Sequence, residues 1–415
     1  MLEMLFKVES TLNRHINAPL LVEREAFLTH RQLQGTSCHS LRHLSSALLN
    51  VVRGLHLDEL RDIDMDEIRK AAHEWAALQR SESMVSNNVN CVGYFTFSAK
   101  RWLLYLGRLK VPIIPRGRFA DQVEDFAKYM TDERGLAKQS VRIHCYRASS
   151  FLAWFAQRHR FLGALRIDDV DEYLAMKGDG GWNRKTVAGT SQGLREFFRH
   201  AERRGWCKHG IAAGIRSPII YKYEGLPEGP TREEVAKLLV SISGKLVPTL
   251  RAKAVILMFA VYGLRCGEVS RLQLDDFDWR SETFVVDHSK RGGSIKYPLQ
   301  HDVGEAILEY ITKGRPRSPS RNLFLTLTPP YRPVESTVLS HMTSKWIKRA
   351  EIQCRRTGPH CLRHACATRL LEDGTSLKEI GDFLGHRSSD SVGVYAKVNL
   401  KMLRQVADFA LKGLL

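Results

Sequence analysis

Two segments rich in proline and glycine interrupt a chain that is otherwise patterned for helices. The first is KVPIIPRG at 110–117, and the second is PIIYKYEGLPEGP at 218–230. Such clusters end regular elements and are typical of linkers, because proline removes a backbone donor and glycine widens the range of backbone angles. A chain of 415 residues also exceeds what one hydrophobic core usually serves. We therefore predict three modules, at 1–110, 117–217 and 228–415.

The first two modules are predicted to be all-helical. In the first, apolar residues recur at intervals of three and four from Leu41 to Leu55, as one buried helix face requires, and small polar residues at 81–93 predict a loop. In the second, a turn at 178–186 precedes a helix that carries Leu194, Phe197 and Phe198. Further apolar faces are predicted from Phe126, Tyr129, Val141, Tyr146, Phe151, Trp154 and Phe155.

The third module is predicted to combine helices with one small sheet, so the fold class is mainly α with an α+β C-terminal domain. The alternating runs at 283–287 and 294–299 flank a Gly292-Gly293 turn, a pattern that indicates a β-hairpin. Two pairs have the spacing of capping boxes that open helices. These pairs are Thr231 with Glu234 and Ser376 with Glu379, and further helices are predicted at 251–262, 336–350 and 361–373.

The charge of the chain favours a polyanionic partner. Lys and Arg number 63 against 45 Asp and Glu, a net charge of +18. Residues 1–70 are balanced, with nine basic against ten acidic side chains, and the surplus lies after them. Nucleic acid or an acidic membrane surface would suit this surplus, while solvated helix faces on a protein without such a partner remain an alternative.

The eight cysteines are scattered and form no CxxC pair. In a large chain this distribution favours free thiols in a reducing compartment. No run of about eighteen apolar residues is present, and the N-terminal stretch lacks the pattern of a signal peptide. We therefore expect a cytoplasmic protein without a membrane partner.

A first candidate for chemistry is Arg265, which lies in the sequence YGLRCGEVSRL at 262–272. An apolar helix runs into Gly263, and glycine permits a sharp turn or the close approach of another backbone. Glu268, three residues after the arginine, is close enough to hold its guanidinium. The alternative is a surface ion pair at the start of a helix.

A second candidate is the sequence GPHCLRHACATRLLEDG at 358–374. His360 and Arg363 lie at the start of a predicted helix, where both can face one pocket with the backbone N–H groups, as a phosphate site requires. The spacing of His360 and His364 also suggests a metal. The zinc-protease pattern, however, needs a glutamate where Cys361 stands, and closely paired cysteines are absent, so we expect no metal.

The third candidate is FLGHRSSDSVGVYAKV at 383–398, which places His386 in a turn and Tyr395 nine residues later. A tyrosine in a helix is usually a packing residue. All of these motifs together resemble the tyrosine recombinase, or phage integrase, family. Its signature is a GLR-x-GE corner, a hairpin lysine, an H-x-L-R-H helix start, an LGH turn and a later tyrosine, and this order recurs here, specifically over 231–400.

The resemblance implies a role for each motif residue. Arg265, Arg363 and His386 would stabilise the phosphate, Lys290 in the hairpin would protonate the leaving 5′ oxygen, and His360 would assist proton movement. Tyr395 would be the nucleophile, and Glu268 would support Arg265. Lys296 is the alternative to Lys290. Tyr262 and Ala365 depart from residues common in the family, though neither replaces a reacting group, and the resemblance implies no cofactor.

The resemblance also implies the partners. Module 117–217 is similar to the family's core-binding domain, with Arg142, Lys185, Arg195 and Arg199 as candidate DNA contacts. Its alternative is a helical bundle with no role in DNA binding. The expected partner is a double-stranded recombination site, bound by a homotetramer with or without related recombinases. The protein is expected to be nucleoid-associated. The apolar tail after Tyr395 would dock on a neighbouring subunit or pack on its own domain, and module 1–110 would contact DNA or protein.

Three other functions fit parts of the pattern. A type IB topoisomerase would relax supercoiled DNA without recombination sites, and a catalytically inactive regulator would bind DNA without forming an adduct. A membrane-surface protein would bind anionic vesicles in competition with DNA. The motifs do not encode the target sequence, nor do they separate integration, excision, transposition and dimer resolution.

Overall fold

The computed structural model describes residues 1–82, 88–110, 116–221, 229–287, 293–354 and 356–385. The chain divides into two compact units, one of Met1–Val111 with Gly225–Leu415 and one of Pro112–Glu224. The predicted module at 117–217 falls inside the second unit. The separation of 1–110 from 228–415 stays a prediction, although each of these stretches has an apolar core of its own.

The N-terminal part of the first unit is helical, as predicted. The face from Leu41 to Leu55 is confirmed, because Leu41, Leu48 and Val51 are fully buried. The predicted loop at 81–93 is wrong at both ends, because one helix runs to Glu82 and the next begins at Asn88. The helices are α1 (Leu2–Leu5), α2 (Glu9–Ile16), α3 (Leu21–Leu33), α4 (Cys38–Gly54), α5 (Met65–Glu82) and α6 (Asn88–Tyr105).

The second unit is a helical bundle around an aromatic core. Leu194, Phe197 and Phe198 are fully buried, as the sequence predicted. Tyr146 was wrongly assigned to an apolar face, because its side chain is 72% exposed. The elements are α7 (Ala120–Lys128) with a π-turn (Tyr129–Glu133), α8 (Lys138–Phe155), a 3-10 turn (Leu162–Ala164), α9 (Ile167–Asp179), α10 (Arg184–Arg203) and α11 (Ile211–Gly214).

The C-terminal part of the first unit surrounds one apolar helix, α13 (Val247–Tyr262), with other helices and a small sheet. Both predicted capping boxes are present at the helix starts. Its other helices are α12 (Arg232–Ser241), α14 (Cys266–Arg271), α15 (His301–Glu309), α16 (Ser336–Arg349), α17 (Pro359–Glu372) and α18 (Leu377–Phe383), with a 3-10 turn (Leu274–Asp276) and a π-turn (Tyr310–Gly314).

The sheet confirms the predicted hairpin strands. Strand β2 (Thr283–Asp287) pairs antiparallel with β3 (Ser294–Pro298), and Phe284 lies opposite Tyr297. A short strand that the sequence did not predict, β1 (Phe277–Asp278), extends the sheet on the other side of β2. The hairpin turn lies outside the described residues. Helices with one small sheet confirm the predicted fold class.

In the described part of the chain, no helix is both long and apolar enough to cross a membrane. All eight cysteines fall within that part, and each is a free thiol.

Candidate active site

The corner that carries Arg265 is made by a glycine in the left-handed conformation. Helix α13 ends at Gly263, whose φ is 61°. A Cβ on this residue would lie 2.5 Å from Cδ2 of Leu384, so the position combines a strained backbone with a close approach. Arg265 follows as the N-cap of α14, and its backbone N–H donates to Oε2 of Glu268 at 2.8 Å. The sharp turn that the sequence predicted is therefore present.

The Glu268 carboxylate binds both the side chain and the backbone of Arg265. Nη1 of Arg265 donates to Oε1 of Glu268 at 2.8 Å, and the same carboxylate accepts the arginine backbone N–H. The Glu268 side chain is 5% exposed, whereas that of Arg265 is 32% exposed. The pair is therefore not a surface ion pair. A buried carboxylate fixes an arginine that still reaches solvent, an arrangement that can present a guanidinium to an anion.

Arg363 is a buried arginine that joins distant parts of the chain. It lies on α17 and is 4% exposed. Its Nη1 donates to the carbonyl oxygen of Gly263 at 2.5 Å, and its Nη2 donates to that of Leu384 at 2.6 Å. These bonds connect α17 to the end of α13 and to the residues after α18. Charge-assisted bonds of this kind stabilise the corner, because an unsatisfied buried guanidinium would be costly.

The two arginines converge on one turn. Nη2 of Arg265 donates to the carbonyl oxygen of Gly385 at 3.1 Å, beside the Leu384 carbonyl that Arg363 binds. Arg265 and Arg363 are far apart in sequence, yet they bind the carbonyl oxygens of two consecutive residues, Gly385 and Leu384, which directly precede His386. Their convergence with His386 on one phosphate stays a prediction, because His386 lies outside the described residues.

His360 lies on the first turn of α17 and is exposed. The N-terminal end of a helix carries partial positive charge, so an anion would be favoured beside it. His364, one turn later, is half-buried. Burial, with the nearby His360, Arg363 and Arg356, lowers the pKa of His364 to about 4, so its imidazole is neutral at pH 7. Within the described ranges, no group of three or more His, Cys, Asp and Glu side chains could hold a metal ion.

Tyr297, on β3, is a site residue that sequence reasoning missed. It is 1% exposed, and its hydroxyl donates to the carbonyl oxygen of Phe383 at 2.6 Å. Burial and the nearby Glu268 carboxylate raise the pKa of Tyr297 above its ordinary value, so the phenol stays protonated. It therefore holds the sheet against the end of α18. The alternation of β3 predicted which face it occupies but not what that face would meet.

Tyr262 anchors the C-terminal end of β3, next to Tyr297. Its hydroxyl donates to the carbonyl oxygen of Pro298 at 2.9 Å and accepts the backbone N–H of Gln300 at 2.9 Å. The resembled family commonly has threonine at this position. The longer tyrosine side chain reaches the end of the strand and fixes it there.

Three predicted catalytic residues, Lys290, His386 and Tyr395, lie outside the described residues. The alternative lysine, Lys296, is exposed on β3 next to the buried Tyr297. Successive side chains of a strand point to opposite faces, so Lys296 points away from the face on which Tyr297 contacts Phe383. This geometry favours the assignment to Lys290 but does not test it.

In the second unit, three of the four predicted DNA contacts lie together. Lys185, Arg195 and Arg199, all on α10, line one open cleft of about 610 Å³. Arg142 is exposed on α8 and is not among the residues that line this cleft. Arg199 also pairs with Glu196 at 2.6 Å, so the cleft is not uniformly basic. We refer to it below as the α10 cleft.

Comparison with known sequences identifies two matching family models. The model described as Phage integrase family matches residues 231–402, and that described as Phage integrase, N-terminal SAM-like domain, matches 123–205. The putative integrase/recombinase y4rA of Sinorhizobium fredii (strain NBRC 101917 / NGR234) is 33% identical over 287 residues, which cover 69% of each chain. The putative integrase/recombinase y4gC of the same strain is 40% identical over 184 residues, which cover 44% of this chain and 95% of that protein.

Among solved structures, the post-cleavage complex of XerH site-specific recombinase bound to palindromic difH substrate matches with a TM-score of 0.54. The match covers 85% of this chain and 98% of that chain at 17% sequence identity. At this identity the likeness shows the fold alone.

Proposed function

The chain belongs to the phage integrase family of tyrosine site-specific recombinases, and we propose that it breaks and rejoins duplex DNA through a 3′-phosphotyrosyl intermediate on Tyr395. The observation that carries this proposal is the convergence of Arg265 and Arg363 on the Leu384–Gly385 turn. Two guanidinium groups bonded to neighbouring carbonyl oxygens suit the non-bridging oxygens of one phosphate, and the turn leads directly to His386 and then to the tyrosine.

In the proposed cleavage step, the phenolic oxygen of Tyr395 attacks phosphorus and the bond from phosphorus to the 5′ oxygen breaks. His360 assists removal of the phenolic proton, because a tyrosine with a pKa of about 10 is a weak nucleophile until that proton leaves. Lys290 gives a proton to the departing 5′ oxygen, and the product is a free 5′ hydroxyl. The phosphodiester energy is kept in the phosphotyrosyl bond, so a second 5′ hydroxyl reverses the step without a nucleotide cofactor.

The arginines act on the charge that develops at phosphorus. Arg265 is held by Glu268 yet remains partly exposed, and this supports direct contact with a phosphate oxygen. Arg363 is anchored by two carbonyl oxygens, and in the proposal its guanidinium supplies a further N–H to the phosphate. His386 donates a third hydrogen bond. Removing one preorganised donor of this kind typically raises the barrier by roughly 3–4 kcal/mol.

The proposed partner is a double-stranded recombination site. The net charge of +18 and the α10 cleft support DNA binding by the second unit together with the C-terminal domain at 228–415. We propose a homotetramer on synapsed DNA, in which the tail after Tyr395 docks on a neighbouring subunit. Integration, excision or transposition of a mobile element is the proposed role, and the module at 1–110 would provide an additional DNA or protein contact.

Covalent trapping tests the nucleophile. Nicked duplexes of random sequence would be incubated with the full chain, and protein–DNA adducts would be separated under denaturing conditions and sequenced. We expect adducts with the unaltered chain and with Tyr105→Phe, a tyrosine 42% exposed on α6, but none with Tyr395→Phe. Binding of DNA should survive in all three. Adduct formation by Tyr395→Phe would refute the assignment, while binding without any adduct would favour an inactive regulator.

A further inference from the structure

Arg147 is held in an unusual way between two helices of the second unit. It lies on α8, and its side chain crosses α10 at Gly189 and Gly193. A Cβ on Gly189 would lie 2.7 Å from Nη2 of Arg147, and a Cβ on Gly193 would lie 2.7 Å from its Cδ. Real Cβ atoms do not approach other atoms so closely. Because each glycine has a hydrogen where another residue has a Cβ, Gly189 and Gly193 leave a shallow depression on α10. The Arg147 side chain lies in this depression, which we call the saddle.

The guanidinium held in this saddle has no anionic partner among residues 116–221, the part of this unit that the structure describes. Arg147 is half-buried, and no hydrogen bond or ion pair joins it to a described residue. The carboxylate of Glu196, which lies in the same region, is engaged by Arg134 at 3.4 Å and by Arg199 at 2.6 Å. Burial lowers the pKa of Arg147, with no neighbouring acid to oppose that effect. A charge that is partly removed from water without a counter-charge is destabilising.

The position of the saddle indicates what would supply the counter-charge. Gly189 lines the α10 cleft with Lys185, Gln192 and Arg195, and Nη2 of Arg147 lies against this glycine. The guanidinium is thus at the edge of a cleft rich in donors. A full negative charge offsets desolvation of an arginine better than the neutral acceptors of a base edge do, so a phosphate oxygen fits this place.

We propose that Arg147 binds a backbone phosphate of duplex DNA and that Gly189 and Gly193 position its guanidinium for that contact. The inference rests on the proposed function, because it assigns one contact of the DNA complex. It also explains why two glycines stand one turn apart within α10, where each costs helix stability relative to alanine.

Two substitutions separate a phosphate contact from a general loss of charge. Arg147→Ala removes the proposed contact, and Arg160→Ala removes the same charge from an exposed position of the same unit. Binding of the full chain to a random-sequence duplex of about 40 base pairs would be measured from low to moderate salt. We expect Arg147→Ala to weaken binding about tenfold and to reduce the slope of log affinity against log salt by about 0.9, the value of one phosphate contact. Arg160→Ala should change the slope much less.

A third substitution tests positioning without altering charge. Gly189→Ala should keep the fold, because the atom that its methyl group meets is the far end of a flexible side chain and alanine favours the helix. It should displace the guanidinium and weaken binding several-fold. In the Arg147→Ala background it should have no further effect, since no guanidinium remains to be displaced.

The outcomes are distinguishable. If the unaltered chain binds duplex DNA but Arg147→Ala behaves like Arg160→Ala, the inference is wrong and the proposed function stands. Equal effects of Gly189→Ala with and without Arg147 would likewise overturn the positioning role. If the unaltered chain binds no duplex at low salt, the proposed function and this inference both fall.

Discussion

Replacing Gly263 by alanine tests whether the arginine corner is as tightly packed as its geometry indicates. The residue has φ of 61°, and a Cβ there would lie 2.5 Å from Cδ2 of Leu384. Leu384 is 1% exposed, so its side chain has no room to turn toward solvent. Strain from the left-handed backbone costs about 1–2 kcal/mol, and overpacking adds about 1–3 kcal/mol. We expect Gly263→Ala to lower the free energy of unfolding of the predicted module at 228–415 by about 2–5 kcal/mol.

Gly374→Ala is the matched control. Gly374 also has positive φ, at 88°, but a Cβ there would meet nothing within 4 Å, so its replacement costs the backbone strain alone. Hydrogen–deuterium exchange of the α13 amides reports the free energy of opening around this helix within the full chain. The protection of the α13 amides against exchange should fall by about 5- to 150-fold more in Gly263→Ala than in Gly374→Ala. This factor is the overpacking cost of about 1–3 kcal/mol, converted at about 1.4 kcal/mol per tenfold.

The same substitution should also slow covalent trapping of DNA. The carbonyl oxygens of Gly263 and Leu384 both accept hydrogen bonds from Arg363, so moving Leu384 disturbs the arginine that the proposal places at the phosphate. In a Leu384→Ala background, Gly263→Ala should cost less stability than in the unaltered chain, which a double-mutant cycle would reveal as coupling. Equal protection losses in Gly263→Ala and Gly374→Ala, without coupling to Leu384, would refute the close-packing argument.

Two further predictions concern Glu268 and His364. Glu268→Gln should slow adduct formation at least about tenfold with little loss of DNA binding, because an amide offers Arg265 one acceptor oxygen in place of two and no counter-charge. The exposed Glu305→Gln is the control, and equal rates would refute the role. His364 has a folded-state pKa of about 4, below its unfolded value of 6.5, so its contribution to stability is present above pH 6.5 and is lost as the pH falls toward 4. The free energy of unfolding, measured by denaturant titration, should therefore fall between pH 7 and pH 4.5 by on the order of 2 kcal/mol more in the unaltered chain than in His364→Gln. An equal fall in both would contradict the pKa shift.

Several features were predictable because their causes are local. The capping boxes at Thr231 and Ser376 depend on residues three apart, and the β2–β3 hairpin depends on alternation around a glycine turn. The sharp corner at Gly263 followed from the same reasoning, since glycine is the residue that adopts positive φ without steric cost. The order of the motifs was likewise enough to indicate the family, because each motif is a short string of residues.

Other features depended on contacts between residues that are far apart in the chain. The sequence allowed Arg265 and Glu268 to be a surface pair, and only the packing around Glu268 buried the carboxylate. The place of Tyr297 against Phe383, across 86 positions, has no signature in either segment. Nor did the sequence show that Arg147 fills the space above two glycines of α10.

Periodicity therefore determined which face of an element is apolar, whereas the tertiary structure decided what that face meets. The exposed Tyr146 illustrates the difference: its spacing on α8 suited a buried face, yet none of the described elements of its unit covers it. The physical reason is that hydrogen-bonding rules act over one turn or one strand pair, while burial is a property of the whole packed unit.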